Sequence, residues 1–376
     1  MDNQAWLVLE DGMILTGVSI GVKGVTVGEL IFNTAHVGYQ EALTDPSYAA
    51  QIIVFTSPHI GNTGCNLDDE ESNHFWASGL VLREKPMSSP YWRSKIDFND
   101  YLLQHEVVGI AEVDTRYLTK RLRTMGHSVT CIVSDESNID HAKQMVCDFH
   151  EIRSAQLLEK VTTTFPYRFP KQMSAMVKKP HIVVYDLGVK RNILRMLANY
   201  DCEITIVPAS FPLQRLLKLQ VDGVVLSNGP GDPSVYINVI DSVSTLVTMD
   251  IPILGICLGH QLLGLALGAK IQKLKFGHHG INHPIQPCET DKVLISSQNH
   301  NFAIADEAIP KEIKVTYRSL FDNSIQGIQH RFKSIFGIQG HPEGCPGPTE
   351  CEHFFDLFFQ AVMKNFQTSE MELQHA

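Results

Sequence analysis

The sequence predicts an α/β protein in two parts: a C-terminal domain built on a doubly wound, mostly parallel sheet, preceded by a β-rich α+β domain. Three observations carry this. At 376 residues the chain exceeds what one hydrophobic core usually organises, which favours two domains. From residue 181 onward, short continuous apolar runs alternate with stretches of helical spacing, the pattern of strands buried on both faces and joined by helices. Both Gly-rich turns of this part, at 229–231 and 255–259, fall where such strands end. Open parallel sheets bind their ligands there.

Taken in order, residues 1–150 carry strand-like runs in WLVLED, VTVGELIF and QIIVFTS, separated by turns rich in Gly and Asp. Near the end of this domain, DTRYLTKRLRTMG places Tyr117, Leu118 and Leu122 at helical spacing, with Gly126 as the stop. Residues 151–180 are mixed, basic and punctuated by proline, and read as a linker. The second domain spans 181–366. HIVVYDLG is its first strand and RNILRMLANY its first helix; ITIVP and LQRLLKL form the next such pair. DGVVLSNGPGDP is a strand running into a Gly/Pro turn, and IPILGIC is a strand feeding the helix LGHQLLGLALG. An apolar helix from about His353 to Met363 closes the domain, and the polar stretch 367–376 reads as a disordered tail.

Composition narrows the function classes. With 44% hydrophobic and 19% charged residues the chain is of ordinary globular make-up. A formal charge of −10 argues against nucleic acid or an anionic membrane surface as the main partner. The start, MDNQAWLVLEDG, has no basic region followed by an apolar one, so a secretory leader is not expected. No apolar run approaches the roughly 18 residues of a membrane span. The eight cysteines are scattered without a C-x-x-C pair, unlike a disulfide framework or a zinc site. Reduced thiols in the cytoplasm are the expectation.

Chemistry concentrates in three places. In GICLG, Cys257 stands on the turn between a strand and a helix, with Gly255 and Gly259 permitting a sharp bend. It is the cysteine counterpart of a nucleophile elbow. The N-terminus of a helix favours thiolate over thiol, and the Leu258 N–H would point where an oxyanion forms. The pentapeptide alone also fits a thiol that merely packs between sheet and helix. In QGHPEG, His341 precedes a proline and so is held extended. Glu343 is placed to accept its second ring N–H, as the third member of a triad does, although a loop histidine beside a solvated glutamate would have the same sequence. In SNGPGDP, the glycines serve either a plain turn or a second oxyanion donor. The segment lacks the G-K-[ST] of a phosphate-binding loop.

Two other clusters carry less. FGHHGINHP holds three histidines at irregular spacing among glycine and proline, with no acid or cysteine between them. It reads as a structural or interface loop rather than a metal site. Ser47, in LTDPSY, has no evident base partner, so a serine-hydrolase reading fails.

Together, GICLGHQ, SNGPGDP upstream and GHPE downstream resemble the class I, triad-type glutamine amidotransferases. LVLEDG, GYQEALTDPSY, SPHIGNTG, DTRYLTKRLR, YDLGVKRNILRML, FGHHGINHP, SQNHNFA and QGHPEGCPGP further resemble the small-subunit family of carbamoyl phosphate synthetases, over essentially residues 5–365. The resemblance implies that Cys257 is the nucleophile, His341 the general base and acid, and Glu343 the orienting carboxylate. It implies an oxyanion hole formed by the N–H groups of Leu258 and Gly229. It implies that Ser47, Gly229, Gly231, Leu258, Gln261, Asn299, Asn301 and Phe302 hold the substrate glutamine, and that His260 is not the base. It implies no metal or organic cofactor on this chain. ATP, magnesium and bicarbonate are expected on a large partner subunit that receives ammonia, in a heterodimer or higher oligomer, for arginine and pyrimidine synthesis. The first domain would then dock that subunit and help complete the glutamine site.

The sequence departs from the family twice. Asn301 stands in QNHNF where the family has glycine, and Asn is the side chain that best tolerates a left-handed backbone. His36 and Val37 replace Met-Thr before Gly38, for which we find no physical account. A glutaminase serving another synthetase is an alternative that the first domain argues against. A non-catalytic scaffold of the same fold is a second, opposed by the intact Cys257, His341 and Glu343.

Overall fold

The computed structural model describes residues 4–88, 91–135, 138–149, 154–170, 178–307 and 309–375. The chain divides into two compact units. One comprises Met1–Arg153 with Lys275–Gly280, the other Ser154–Leu274 with Ile281–Ala376.

The first unit is a closed seven-stranded barrel. Its strands, in chain order, are Gln4–Leu9, Ile14–Gly21, Val25–Asn33, Gln51–Phe55, Gly79–Val81, Val108–Ala111 and Ser128–Val133. Alternation explains the barrel's packing. In Gln51–Phe55, Ile52 and Val54 pack with Leu7, Leu30, Leu118 and Leu122, while Ile53 and Phe55 pack with Tyr39, Phe98 and Tyr101. The helix Thr115–Met125 supplies Leu118 and Leu122 and ends at Gly126, whose φ of 94° suits a glycine. Tyr117, by contrast, is exposed.

The second unit is built on a ten-stranded sheet. Five adjacent strands are parallel: Ile335–Ile338, Ile253–Ile256, Gly223–Leu226, His181–Asp186 and Glu203–Pro208. They are the apolar runs that the sequence marks. Leu254 and Ile256 join a core with Ile193 and Leu197 of the helix Arg191–Ala198 and Phe355 and Phe358 of the helix His353–His375. Gly255, between them, turns to the helix Leu258–Ala266: a Cβ there would lie 2.6 Å from Leu263 Cδ1. Alternate residues of one strand thus meet helices on opposite faces, as in a doubly wound sheet.

Four segments differ from the sequence reading. FGHHGINHP is not a loop but part of a long strand, Ile271–Pro287, in which glycines at 277 (φ 66°) and 280 (φ 151°) absorb the bends. Its stretch 275–280 belongs to the first unit, where the His279 carbonyl accepts from Thr34 N–H at 3.1 Å. Strands at Leu294–Ile304, Ile313–Ser319 and Ile325–His330, which have no clean alternation, extend the sheet on the same side, with antiparallel pairing from Ile313–Ser319 to Ile335–Ile338. The interval 151–180 is not only a connector: Ser154–Val161 is helical and Tyr167–Phe169 pairs antiparallel with Glu203–Pro208. Residues 151–153 and 171–177 of it lie outside the described residues. The last helix continues to His375, through the residues read as a tail; a run such as QTSEMELQ has adequate helix propensity once a packed helix precedes it.

Candidate active site

The site forms where two neighbouring parallel strands end. Gly255 pairs with Gly337 and Ile256 with Ile338, so the residues that follow, Cys257 and Gln339, leave the sheet side by side. Cys257 N–H donates to the Ile338 carbonyl at 2.9 Å. The chain then turns abruptly: Cys257 has φ 53° and ψ −102° and caps the helix Leu258–Ala266. Such a conformation in a non-glycine residue costs on the order of 1–3 kcal/mol and is held only by its surroundings. The neighbouring glycine is obligatory, because a Cβ at Gly259 would lie 2.1 Å from the Leu226 carbonyl oxygen. The sharp strand-to-helix turn inferred from GICLG is therefore present in the backbone.

His341 is brought to this end by a different strand. Its N–H donates to the Ser297 carbonyl at 2.9 Å, a bridge to Leu294–Ile304. Its Nδ1–H donates to Glu343 Oε1 at 2.8 Å, which fixes the ring and leaves Nε2 as the working nitrogen. Nε2 is buried, with the Cys257 side chain as its neighbour. Burial opposes charge on this ring, but the nearby Glu343 carboxylate and Cys257 sulfur outweigh it and raise its pKa to about 10. Glu343 is also fully enclosed. Burial would raise its pKa, yet Lys190 foremost, then His341, hold it well below the usual carboxylate range. Glu343 as a carboxylate, with the Cys257 sulfur once ionised, thus stabilises the imidazolium that the ring becomes when it accepts a proton.

Lys190 was not singled out from the sequence. Its Nζ donates to Glu343 Oε1 at 2.9 Å in a buried ion pair, and its backbone N–H donates to Asn228 Oδ1 at 3.1 Å. Asn192 Nδ2 adds a bond to the Glu343 carbonyl at 2.6 Å. The signal was available: Lys190 follows the carboxyl end of His181–Asp186, the same kind of strand end that drew attention to both Gly-rich turns.

The Gly229 loop packs against the start of the helix Leu258–Ala266. A Cβ on Gly229 would stand 2.8 Å from Leu258 Cδ2 and 2.0 Å from the Leu187 carbonyl oxygen, so the loop needs glycine there to pass. Leu258 N–H is the first of its helix and has no intrahelical acceptor. The loop is braced by the Ser227 carbonyl, which accepts from Gly259 N–H at 3.1 Å, and by Tyr236 Oη, which donates to the Pro230 carbonyl at 2.8 Å. Gly231 has φ 85°, in the left-handed region.

Of the remaining residues, Asn299 lies at the sulfur: the Cys257 thiol donates to its carbonyl at 3.4 Å. Gln261 Nε2 donates to the Phe302 carbonyl at 2.7 Å and to Gln339 Oε1 at 3.1 Å. Asn301 is buried in the strand Leu294–Ile304 and does not have a positive φ, so the left-handed backbone invoked for it is not required. Ser47 belongs to the first unit, where its N–H donates to Asp45 Oδ1 at 2.9 Å. His260 is wholly buried against Gly337, and desolvation lowers its pKa to about 3. It is a neutral packing group.

A pH test of this electrostatic picture follows. A histidine whose folded pKa is raised contributes stability that is complete below its unfolded value, near 6.5, and is lost as pH rises through the folded value. The stability difference between wild type and His341→Asn is therefore expected to shrink steadily from about pH 6.5 towards about pH 10, read by thermal unfolding across that range. A pH-independent difference would contradict an imidazolium at this position.

Residues 183–361 match the family model for glutamine amidotransferase class-I, and residues 7–132 match carbamoyl-phosphate synthase small chain, CPSase domain. The carbamoyl phosphate synthase small chain of Pasteurella multocida is 47% identical over 372 residues, covering 97% of this chain and 97% of the relative. That of Haemophilus ducreyi is 46% identical over 384 residues, covering 96% and 99%. That of Photobacterium profundum is 45% identical over 375 residues, covering 96% and 97%.

Proposed function

The chain belongs to the carbamoyl phosphate synthase small chain family, and from that premise we propose that it hydrolyses glutamine and delivers ammonia to a large synthase chain. One observation carries the reading: Cys257, His341 and Glu343 converge, buried, at the ends of adjacent parallel strands. In the cycle we propose, the Cys257 proton passes to His341 Nε2, and the thiolate attacks the carboxamide carbon of glutamine. The N–H groups of Leu258 and Gly229 stabilise the oxyanion, an interaction worth roughly 10²–10³ in rate per donor in other enzymes. His341 then gives its proton to the departing ammonia, and a glutamyl thioester remains. Water, deprotonated by His341, hydrolyses the thioester to glutamate and frees the sulfur. Glu343 holds the ring in the productive tautomer throughout. Gly229, Gly231, Gln261, Asn299, Asn301 and Phe302 would contact the substrate.

This half-reaction requires no metal or organic cofactor on the chain. ATP, magnesium and bicarbonate would act on the large chain, which would make carbamoyl phosphate for arginine and pyrimidine synthesis. We place the complex in the cytoplasm; the eight free cysteines suit a reducing compartment, and no described helix is long and apolar enough to cross a membrane. Mixed with a carbamoyl phosphate synthase large chain, this chain is expected to co-purify and to confer glutamine-dependent carbamoyl phosphate formation, where the large chain alone uses only ammonia. Failure to associate, or formation that stays ammonia-dependent, would sink the assignment to this synthase.

A further inference from the structure

Gln339 is fully buried at the end of Ile335–Ile338 and belongs to neither the triad nor the oxyanion hole. Its side chain has two engagements. Nε2 donates to Cys257 Sγ at 3.8 Å, within reach for a sulfur acceptor, and Oε1 accepts from Gln261 Nε2 at 3.1 Å. The second bond fixes the amide's orientation: with Oε1 committed to Gln261, the N–H end faces the sulfur. Gln261 is itself anchored, its Nε2 also donating to the Phe302 carbonyl at 2.7 Å, so donation runs from Gln261 through Gln339 to the Cys257 sulfur.

We propose that Gln339 is a further catalytic residue, a donor that stabilises the Cys257 thiolate and orients it for attack. The proposal rests on the glutaminase reading above. Its physical basis lies in how the sulfur's contacts change on ionisation. As a thiol, Cys257 donates to the Asn299 carbonyl at 3.4 Å; as a thiolate it has no proton to give, and that carbonyl turns repulsive. The Gln339 contact changes in the opposite sense, because an N–H donor bonds an anionic acceptor more strongly than a neutral one. Gln339 therefore favours the reactive form over the resting one, and such differential stabilisation is what raises rate.

Among the described residues, the charged and titratable groups around the sulfur are few. His341 faces it from the QGHPE segment, with Glu343 behind that ring and Lys190 beyond, from the start of Arg191–Ala198. His260, on the sulfur's own helix, is neutral, and His300 on Leu294–Ile304 directs Nδ1 to the Phe302 carbonyl at 2.7 Å.

The test uses the full chain and Gln339→Met, which keeps side-chain length and removes the donor. The rate of iodoacetamide modification of Cys257, followed by peptide mass spectrometry across pH, reports its thiolate fraction. The midpoint is expected to rise by about one unit and the rate at pH 7 to fall about tenfold. In glutaminase assays kcat is expected to fall while KM changes little. If Gln339 merely props Gln261, KM rises and the modification profile coincides with wild type, which overturns the proposal. Should Gln339→Met fail to fold, Gln339→Asn retains the amide one methylene short of the sulfur and is expected to shift the profile in the same direction; an unshifted profile there is equally decisive. Modification needs no glutamine, so the outcome is separate from the glutaminase reading, which fails only if Cys257→Ser retains full activity.

Discussion

Glutamate release from glutamine is expected to fall by at least about 10³-fold in Cys257→Ser, while glutamine binding survives. The substitution is nearly isosteric, so the strained turn at φ 53°, the helix start at Leu258 and the Gly229 loop should all remain. What is lost is the sulfur nucleophile and the proton that it would pass to His341. A serine hydroxyl is several units less acidic than a thiol, and no residue in this site compensates for that. The substrate contacts proposed for Gln261, Asn299 and Phe302 do not involve the sulfur's charge. Calorimetry with glutamine and a coupled glutamate assay on the same preparation check both halves. Equal glutaminase activity in wild type and variant would remove Cys257 from the chemistry and favour a non-catalytic scaffold.

Lys190→Met is expected to destabilise the second unit by about 3 kcal/mol at pH 7, a large effect for one side chain. The cost comes less from a lost attraction than from what remains: Glu343, fully enclosed, keeps its charge with His341 as its single cationic neighbour. Lys190 is the foremost cause of the low Glu343 pKa, so its removal raises that pKa. The sign for acid follows. A carboxylate whose folded pKa is depressed contributes stability above its unfolded value, near 4.5, and loses it as pH falls through the folded value, near 2. The stability gap between wild type and Lys190→Met should therefore be widest near neutrality and narrow as the pH approaches the acid range. Adding Glu343→Gln to Lys190→Met removes the stranded charge and should recover part of the loss, a coupling that a double-mutant cycle in urea measures. A gap of constant size across pH, or no recovery in the double variant, would show that Lys190 acts through packing alone.

Much of this site was legible in the sequence because its chemistry is written in short motifs at strand ends. Cys257 between two glycines, His341 before a proline and Glu343 two residues on were each recognisable, and their backbone settings match the reasons given for them. The parallel strands were equally legible, since strands buried on both faces must be apolar throughout. The strands at Ile271–Pro287 and Leu294–Ile304 were not. Their histidines, asparagines and glycines have no two-residue alternation, and they are strands because neighbouring backbone pairs with them rather than through propensity. Lys190 and Gln339 were missed for a related reason. A lysine before a helix and a glutamine after a strand are ordinary surface residues until the fold encloses them.

By itself, then, the sequence determined the class of fold and the alternation of strands and helices, and it pointed to the three groups proposed for acid, base and nucleophilic work. Those properties are local, or depend on a few residues at fixed spacing. Only the tertiary structure decided which groups tune them. Pairing Ile253–Ile256 with Ile335–Ile338 set Gln339 beside the sulfur, and the loop after His181–Asp186 carried Lys190 to Glu343 across more than a hundred residues of chain. The pKa of a buried group depends on what surrounds it in space, and neither spacing nor composition encodes that.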